Sequence, residues 1–98
     1  MQEDALIEAA LESVLGPLKE DRRVKAWSWT LGHDHEGQDA IFVFIVMNDP
    51  ERGELKWSRV KPIHDRVAAE LRDKDPFRWP YVRFRLASEV SAGDQDAH

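Results

Sequence analysis

Cysteine is absent from this chain of 98 residues, and so is any apolar run long enough to cross a membrane. The missing thiols exclude disulfides, thiolate zinc sites and cysteine nucleophiles, and their absence is typical of a reducing compartment. The N-terminal stretch is acidic and amphipathic, unlike the basic-then-apolar order of a secretory signal. We therefore expect a cytoplasmic protein that does not enter a membrane.

Recognisable catalytic motifs are missing as well. The sequence has no glycine-rich phosphate loop, no HExxH pair and no serine-histidine-aspartate arrangement in a nucleophile elbow. His64 and Asp65 are neighbours on a predicted helix, where adjacent side chains do not face each other. The sequence therefore favours a role without catalysis, and it implies no cofactor.

The composition is that of a globular domain with a charged exterior, with 42% hydrophobic and 34% charged residues. A chain of this length closes one core, so we predict a single domain over residues 1–90. Residues 91–98 lack the apolar side chains needed for packing and are predicted to be a disordered tail. A net charge of −5 disfavours general attraction to nucleic-acid phosphates.

Two segments have the 3.6-residue apolar period of a helix. The first covers residues 3–15 and is predicted to end at Gly16-Pro17, because glycine accepts a left-handed cap and proline cannot continue the helix. The second covers residues 54–74 and contains Pro62. This proline predicts either a short turn before a helix that begins near it, or one longer kinked helix.

Three other segments predict strands. Residues 25–31 alternate, with Trp27, Trp29 and Leu31 on one side. Residues 40–47 are apolar throughout and rich in β-branched and aromatic side chains, which predicts a strand covered on both faces. Residues 81–87 form the third predicted strand, whose alternation, extended back to Trp79, places four residues on one face: Trp79, Tyr81, Arg83 and Arg85.

The predicted order is α-β-β-α-β, and the predicted fold class is α+β. The first two strands form an antiparallel hairpin, and the second helix returns the chain to a third strand that runs parallel to the second. Two helices on one face of this three-stranded mixed sheet give a two-layer sandwich. Since helices cover only one face, something else must cover the far face of the apolar second strand.

The order of elements resembles that of two known families. One is the cytosolic C-terminal domain of cation-efflux transporters, and this resemblance implies dimerisation and zinc binding. That domain follows a membrane portion, which is not found here. The other is the type II KH domain, provided that the Pro62 region divides the second helix. KH domains bind nucleic acid at a GXXG loop, whereas the corresponding stretch here, Val60-Lys61-Pro62-Ile63, has no glycine. No family is assigned, because likeness of fold alone does not imply function.

The stretch between the first two predicted strands matches either a turn or a metal site. Asp34-His35-Glu36-Gly37 matches a type I turn, in which the first aspartate bonds forward to backbone amides. The alternative is a metal-binding regulatory hairpin in which His33 and His35 supply imidazoles and neighbouring carboxylates add oxygen ligands. The turn needs fewer assumptions, and no metal is assigned.

The aromatic and arginine row on the third strand is the strongest candidate for a functional surface. Tryptophan, tyrosine and arginine dominate protein-protein hot spots, so we predict a protein-interaction module that binds itself, as a homodimer, or a protein partner. The binding residues are Trp79, Tyr81, Arg83 and Arg85, joined by Trp27 and Trp29 if these lie on the same side. Single-stranded nucleic acid, stacked on the same aromatics, is the alternative ligand, which the acidic net charge disfavours.

Overall fold

The structure, a computed structural model, describes residues 2–48 and 56–88. The chain forms α1 (Gln2–Glu20), β1 (Val24–His33), β2 (Asp39–Met47), α2 (Trp57–Lys74) and β3 (Trp79–Leu86). This is the predicted α-β-β-α-β order, and the two-layer α+β architecture is confirmed. The predicted disordered tail, residues 91–98, lies outside the described residues and stays a prediction.

The sheet is mixed and has β2 at its centre, in the order β1-β2-β3. Strand β1 pairs with β2 in the antiparallel sense, from Val24 opposite Met47 to His33 opposite Asp39. Strand β3 pairs with β2 in the parallel sense, from Ala40 beside Trp79 to Met47 beside Leu86. The apolar run therefore occupies the central strand.

The hydrophobic core lies between the sheet and the two helices. Alternate β2 residues, Ile41, Val43 and Ile45, are almost fully buried there. The helices contribute their apolar stripes to the same cluster, whose helical members are Ile7, Ala10, Leu11, Val14, Leu15, Val60, Ile63, Val67 and Leu71. Burial of these stripes is the main stabilising contribution to both helices.

Helix α1 does not end at Gly16-Pro17, and the predicted boundary there is wrong. It continues to Glu20, and Leu18 packs against the core. The real end is a Schellman motif, in which the Arg23 amide donates to the Leu18 carbonyl (3.0 Å) and the Arg22 amide donates to the Lys19 carbonyl (3.1 Å). Arg22 takes the left-handed position at φ 63°, which glycine usually occupies. Tertiary contact therefore overrides the local stop signal.

Helix α2 is one continuous helix that contains Pro62, as the second predicted alternative requires, whereas the kink of that alternative stays a prediction. Its apolar stripe of Val60, Ile63, Val67 and Leu71 runs unbroken past the proline into the core. The division of this helix that the KH resemblance requires is therefore not found. Within residues 2–48 and 56–88, no helix has the length and apolarity that a membrane span needs.

Candidate protein-interaction surface

One face of the sheet carries neither α1 nor α2. We call it the open face, and it consists of alternate residues of the three strands. Pairing register assigns to it Ala26, Ser28, Thr30, Gly32, Ala40, Phe42, Phe44, Val46, Trp79, Tyr81, Arg83 and Arg85. The predicted row on β3 therefore lies on the side away from the helices.

The apolar centre of the open face comes from β2. Phe44 is 41% exposed, whereas its neighbour Ile45 on the core side is 1% exposed. Phe42 and Val46 are half-buried. An exposed phenylalanine on a central strand is costly to leave in water, since a fully buried one contributes roughly 2–3 kcal/mol. The far side of β2 is thus only partly covered within the described part of the chain.

Two arginines flank this apolar centre. Arg83 lies beside Phe44 and Arg85 beside Val46, and both are exposed. They are the only charged residues among the described members of the open face, although the whole chain carries a net charge of −5. The face is therefore locally cationic on an acidic protein.

Tyr81 joins the open face to the hairpin between β1 and β2. Its ring stacks on Phe42, with centroids 5.5 Å apart and planes at 17°, and its hydroxyl donates to Asp34 Oδ2 over 2.8 Å. Gly32 makes room for this stack, because a Cβ at that position would lie 3.1 Å from the Phe42 ring. Tyr81 therefore also supports the structure of the hairpin, a role that its position in the row did not predict.

The hairpin loop is the predicted turn. Asp34 Oδ1 accepts the Glu36 and Gln38 amides at 2.9 and 3.0 Å, and the Gly37 amide donates to the Asp34 carbonyl at 3.0 Å. Gly37 has φ 82°, as expected in a three-residue loop that ends in a left-handed glycine. The hydrogen bond from Tyr81, followed by that from the Gln38 amide, lowers the pKa of Asp34. The same bond raises the pKa of Tyr81.

The two hairpin histidines do not converge on one site. His33 Nε2 lies 3.0 Å from Asp39 Oδ1, whereas His35 Nε2 lies 3.9 Å from a Glu36 carboxylate oxygen. All four side chains are exposed. Nowhere in residues 2–48 and 56–88 do three or more histidines and carboxylates form a group that could hold a metal ion. The arrangement lacks the ligand set that the metal-binding alternative needs.

Trp79 lies at the corner of the open face rather than at its centre. The Arg72 guanidinium of α2 lies 4.5 Å from the Trp79 ring centroid, a cation-π contact. Phe77, just before β3, is 89% exposed. Phe77, Trp79 and Tyr81 line a shallow groove of about 350 Å³ with the acidic hairpin. The aromatic surface thus extends beyond the strand onto the loop.

Trp27 and Trp29 lie on the helix side, so the condition for including them in the binding surface is not met. They pair with Ile45 and Val43 and pack, half-buried, against the core. Their remaining surface lines an open groove with Glu8 and Glu12 of α1. The period-2 pattern showed that both indoles share a face, but it could not show which face the helices would cover.

His64 and Asp65 contact each other, contrary to the expectation from helix geometry. His64 Nδ1 lies 3.2 Å from Asp65 Oδ1, and Lys61 Nζ lies 2.7 Å from Asp65 Oδ2. The Lys61 bond is the main cause that lowers the pKa of Asp65. A neighbouring pair can meet because the aspartate turns its two oxygens to different partners. The carboxylate is thereby held ionised on an exposed helix surface.

Four apolar members of the surface were not predicted as site residues: Phe42, Phe44, Val46 and Phe77. For the three on β2, the signal was alternation within the apolar run, since a strand with one helical layer must present every second residue to the other side. Phe77 carries no such signal, because it lies in a loop. No protein-family model, curated protein or solved structure matches this chain.

Proposed function

We propose that this chain is a cytoplasmic protein-interaction module that docks through the open face of its sheet. The observation that carries the proposal is Phe44, an exposed aromatic side chain at the centre of the sheet with Arg83 beside it. Hot spots combine a central aromatic anchor with arginine, whose planar guanidinium forms directed hydrogen bonds to carboxylates and carbonyls. Docking would remove the apolar β2 side chains from water.

Single-stranded nucleic acid is the second candidate, since Phe44 beside Arg83 could also stack a base near a phosphate. Two observations favour protein instead. The rings of Phe42 and Tyr81 are already stacked on each other, and the Arg72 guanidinium already lies over the Trp79 ring, so these ring faces are less available to a base. Asp34 and Glu36 of the hairpin line a groove with Tyr81 at one end of the open face, where they would repel a phosphate backbone.

Site-specific photo-cross-linking in living cells tests the proposal. A benzophenone amino acid replaces Phe44 in one variant and Leu6 in the control, because Leu6 is similarly exposed (46%) but lies on α1, outside the open face. We expect protein adducts from position 44 and none from position 6. Adducts identified by mass spectrometry distinguish peptide from nucleic acid.

The absence of any adduct at position 44, with folded protein present, would contradict docking through this face. A nucleic-acid adduct would replace the first candidate by the second. In that case binding should weaken steeply as salt rises from about 50 to 200 mM.

A further inference from the structure

We infer that the open face is occupied by a second copy of this chain, related by a two-fold axis that runs along β2 between two facing sheets. This inference rests on the proposed function and names its partner. It follows from the distribution of side-chain size, hydrogen-bonding groups and charge across the face.

Side-chain size differs sharply between the two edges of the open face. The four β1 residues that pairing register places on the face are small, Ala26, Ser28, Thr30 and Gly32, whereas the β3 edge carries Trp79, Tyr81, Arg83 and Arg85; Lys25 lies in the β-bulge next to Ala26. A flat partner would leave a void over the β1 edge, and close packing disfavours voids. A rotation of 180° about β2 places the large row of each copy over the small row of the other. The face is therefore complementary to itself.

The pairing register specifies which residues would meet. Ser28 and Arg83 flank Phe44 at the same level, and Ala26 and Arg85 flank Val46. Rotation about β2 brings Ser28 opposite the other copy's Arg83, and Ala26 opposite the other copy's Arg85. Each β2 residue then lies opposite itself, so the two Phe44 rings meet at the axis.

Hydrogen bonding suits this arrangement. Strand β1 is an edge strand and pairs with no strand on its outer side within the described residues. Its outward backbone carbonyls lie at the edge of the sheet and the Ser28 hydroxyl lies on the open face, so a side chain that extends over the β1 edge from a facing sheet would meet these acceptors. An arginine guanidinium has five donors and no acceptor, so it is well matched to such a row.

Side-chain size selects the axis along β2 over the axis across the strands. Across the strands, the β3 edge of each copy would face the β3 edge of the other, so large side chains would meet large ones and the two small β1 edges would enclose a void. Along β2, the two arginine rows lie on opposite edges, two strand spacings apart laterally and one sheet spacing apart vertically, which is about 14 Å. This separation keeps Arg83 and Arg85 of each copy over the small β1 edge of the other copy and away from the other copy's arginines.

The area of the face sets the strength of the dimer. Three strands of seven residues have a footprint of about 14 by 23 Å, or roughly 320 Å² in each copy. The sum for two copies is roughly 640 Å², below the roughly 1,200 Å² at which stable specific interfaces begin and in the range of weak, transient contacts. We therefore expect a dimer that dissociates on dilution.

Cysteine cross-linking tests the geometry, and the chain contains no native cysteine to interfere. The bismaleimide is short enough to join residues that lie directly opposite each other across facing sheets, with Cα atoms about 10 Å apart. It is too short for residues on opposite edges, whose Cα atoms are about 14 Å apart. Val46→Cys should cross-link to itself, and Arg59→Cys, exposed on α2, is the control that should not. A mixture of Ser28→Cys and Arg83→Cys chains should give a cross-linked dimer. Either variant tested without the other should give no cross-linked dimer.

The Ala26→Cys and Arg85→Cys pair repeats the test in case one substitution weakens folding or association. Self-cross-linking of Arg83→Cys would overturn the axis along β2. A monomeric mass at every concentration, with no Val46→Cys cross-link, would overturn the second copy as occupant. The proposed function survives that result if position 44 forms adducts with another protein, and it fails separately if position 44 forms none.

Discussion

Asp34 takes part in most of the hydrogen bonds of the hairpin loop. One carboxylate oxygen accepts two loop amides, and the other accepts the Tyr81 hydroxyl from a strand that is not part of the hairpin. Asp34 thus has a local role, which follows from its position in the turn, and a long-range role, which its position in the turn does not predict. Acceptance of several donors favours the ionised carboxylate, which is why its pKa is lowered.

Tyr81→Phe removes the largest cause of that lowered pKa. We expect the pKa of Asp34 to rise toward its ordinary value of 3.8, without disrupting the Phe42 stack. Carbon-detected NMR titration of the carboxyl measures it. Asp65 is the internal control, because its lowered pKa depends mainly on Lys61 and should not move. An unchanged Asp34 titration would show that the Tyr81 hydrogen bond has no weight in solution.

The pH limits of the hairpin follow from the same two groups. A lowered pKa at Asp34 stabilises the folded state above pH 3.8, and this contribution is lost as pH falls through the lowered pKa. A raised pKa at Tyr81 stabilises the folded state below pH 10.0 and is lost as pH rises through the raised pKa. The Gln38 amide donates to Asp34, so its chemical shift should show its main changes outside these limits. A main change of the Gln38 shift centred near neutral pH would mean that another group controls this hydrogen bond.

Among the elements, α1 shows how a tertiary contact moves the end of a helix beyond its local stop signal. Gly16-Pro17 is a strong local stop, yet the next apolar residue, Leu18, lies where the stripe meets the core. The chain continues for one more turn and closes with Arg22 in a left-handed conformation. Asn48, at the end of β2, donates its side-chain amide to the Arg22 carbonyl over 2.7 Å. The helix end is therefore anchored to the sheet.

Arg22→Gly should stabilise the protein. Glycine takes the left-handed conformation without the steric penalty of about 1–2 kcal/mol that other residues have, and its greater unfolded-state entropy cancels part of the gain. A net increase of roughly 0.5–1 kcal/mol in the free energy of unfolding is expected, measured by urea denaturation. Arg22→Ala is the matched control, since it removes the same side chain but keeps the penalty. Equal stability of the two variants would refute the explanation.

At the scale of the whole molecule, the two sides of β2 differ in their surroundings although they look alike in sequence. Ile45 is enclosed by the helices, and Phe44, one residue away, is partly in water. Within the described residues, the same strand therefore borders the core on one side and an apolar surface on the other. This asymmetry is what the proposed docking depends on.

Ile45→Ala and Phe44→Ala should separate the two sides. The first leaves a cavity in the core and should cost about 2–5 kcal/mol of unfolding free energy, whereas the second removes a partly exposed side chain and should cost about 1–2 kcal/mol in the monomer. Denaturation is measured at a concentration low enough to exclude association. Comparable costs at both positions would mean that the open face is part of the monomer's core.

Much of the fold could be predicted because its signals are local. The alternation around Trp27, the unbroken apolarity of residues 40–47 and the stripe ending at Leu71 each depend on a few consecutive residues. The helix end at Glu20 could not be predicted, because it depends on the packing of Leu18 against the core. The contact from Tyr81 to Asp34 joins residues 47 positions apart, and no pattern within one element indicates it.

The sequence by itself determined the kinds of element, their order, and the grouping of Trp79, Tyr81, Arg83 and Arg85 on one side of a strand, because backbone periodicity decides which side chains share a face. Only the tertiary structure decided which face the helices cover. That choice placed Trp27 and Trp29 beside the core and left Phe44 exposed. A helical layer packs on one side of a sheet, and the alternation of residues along a strand does not indicate which side that is.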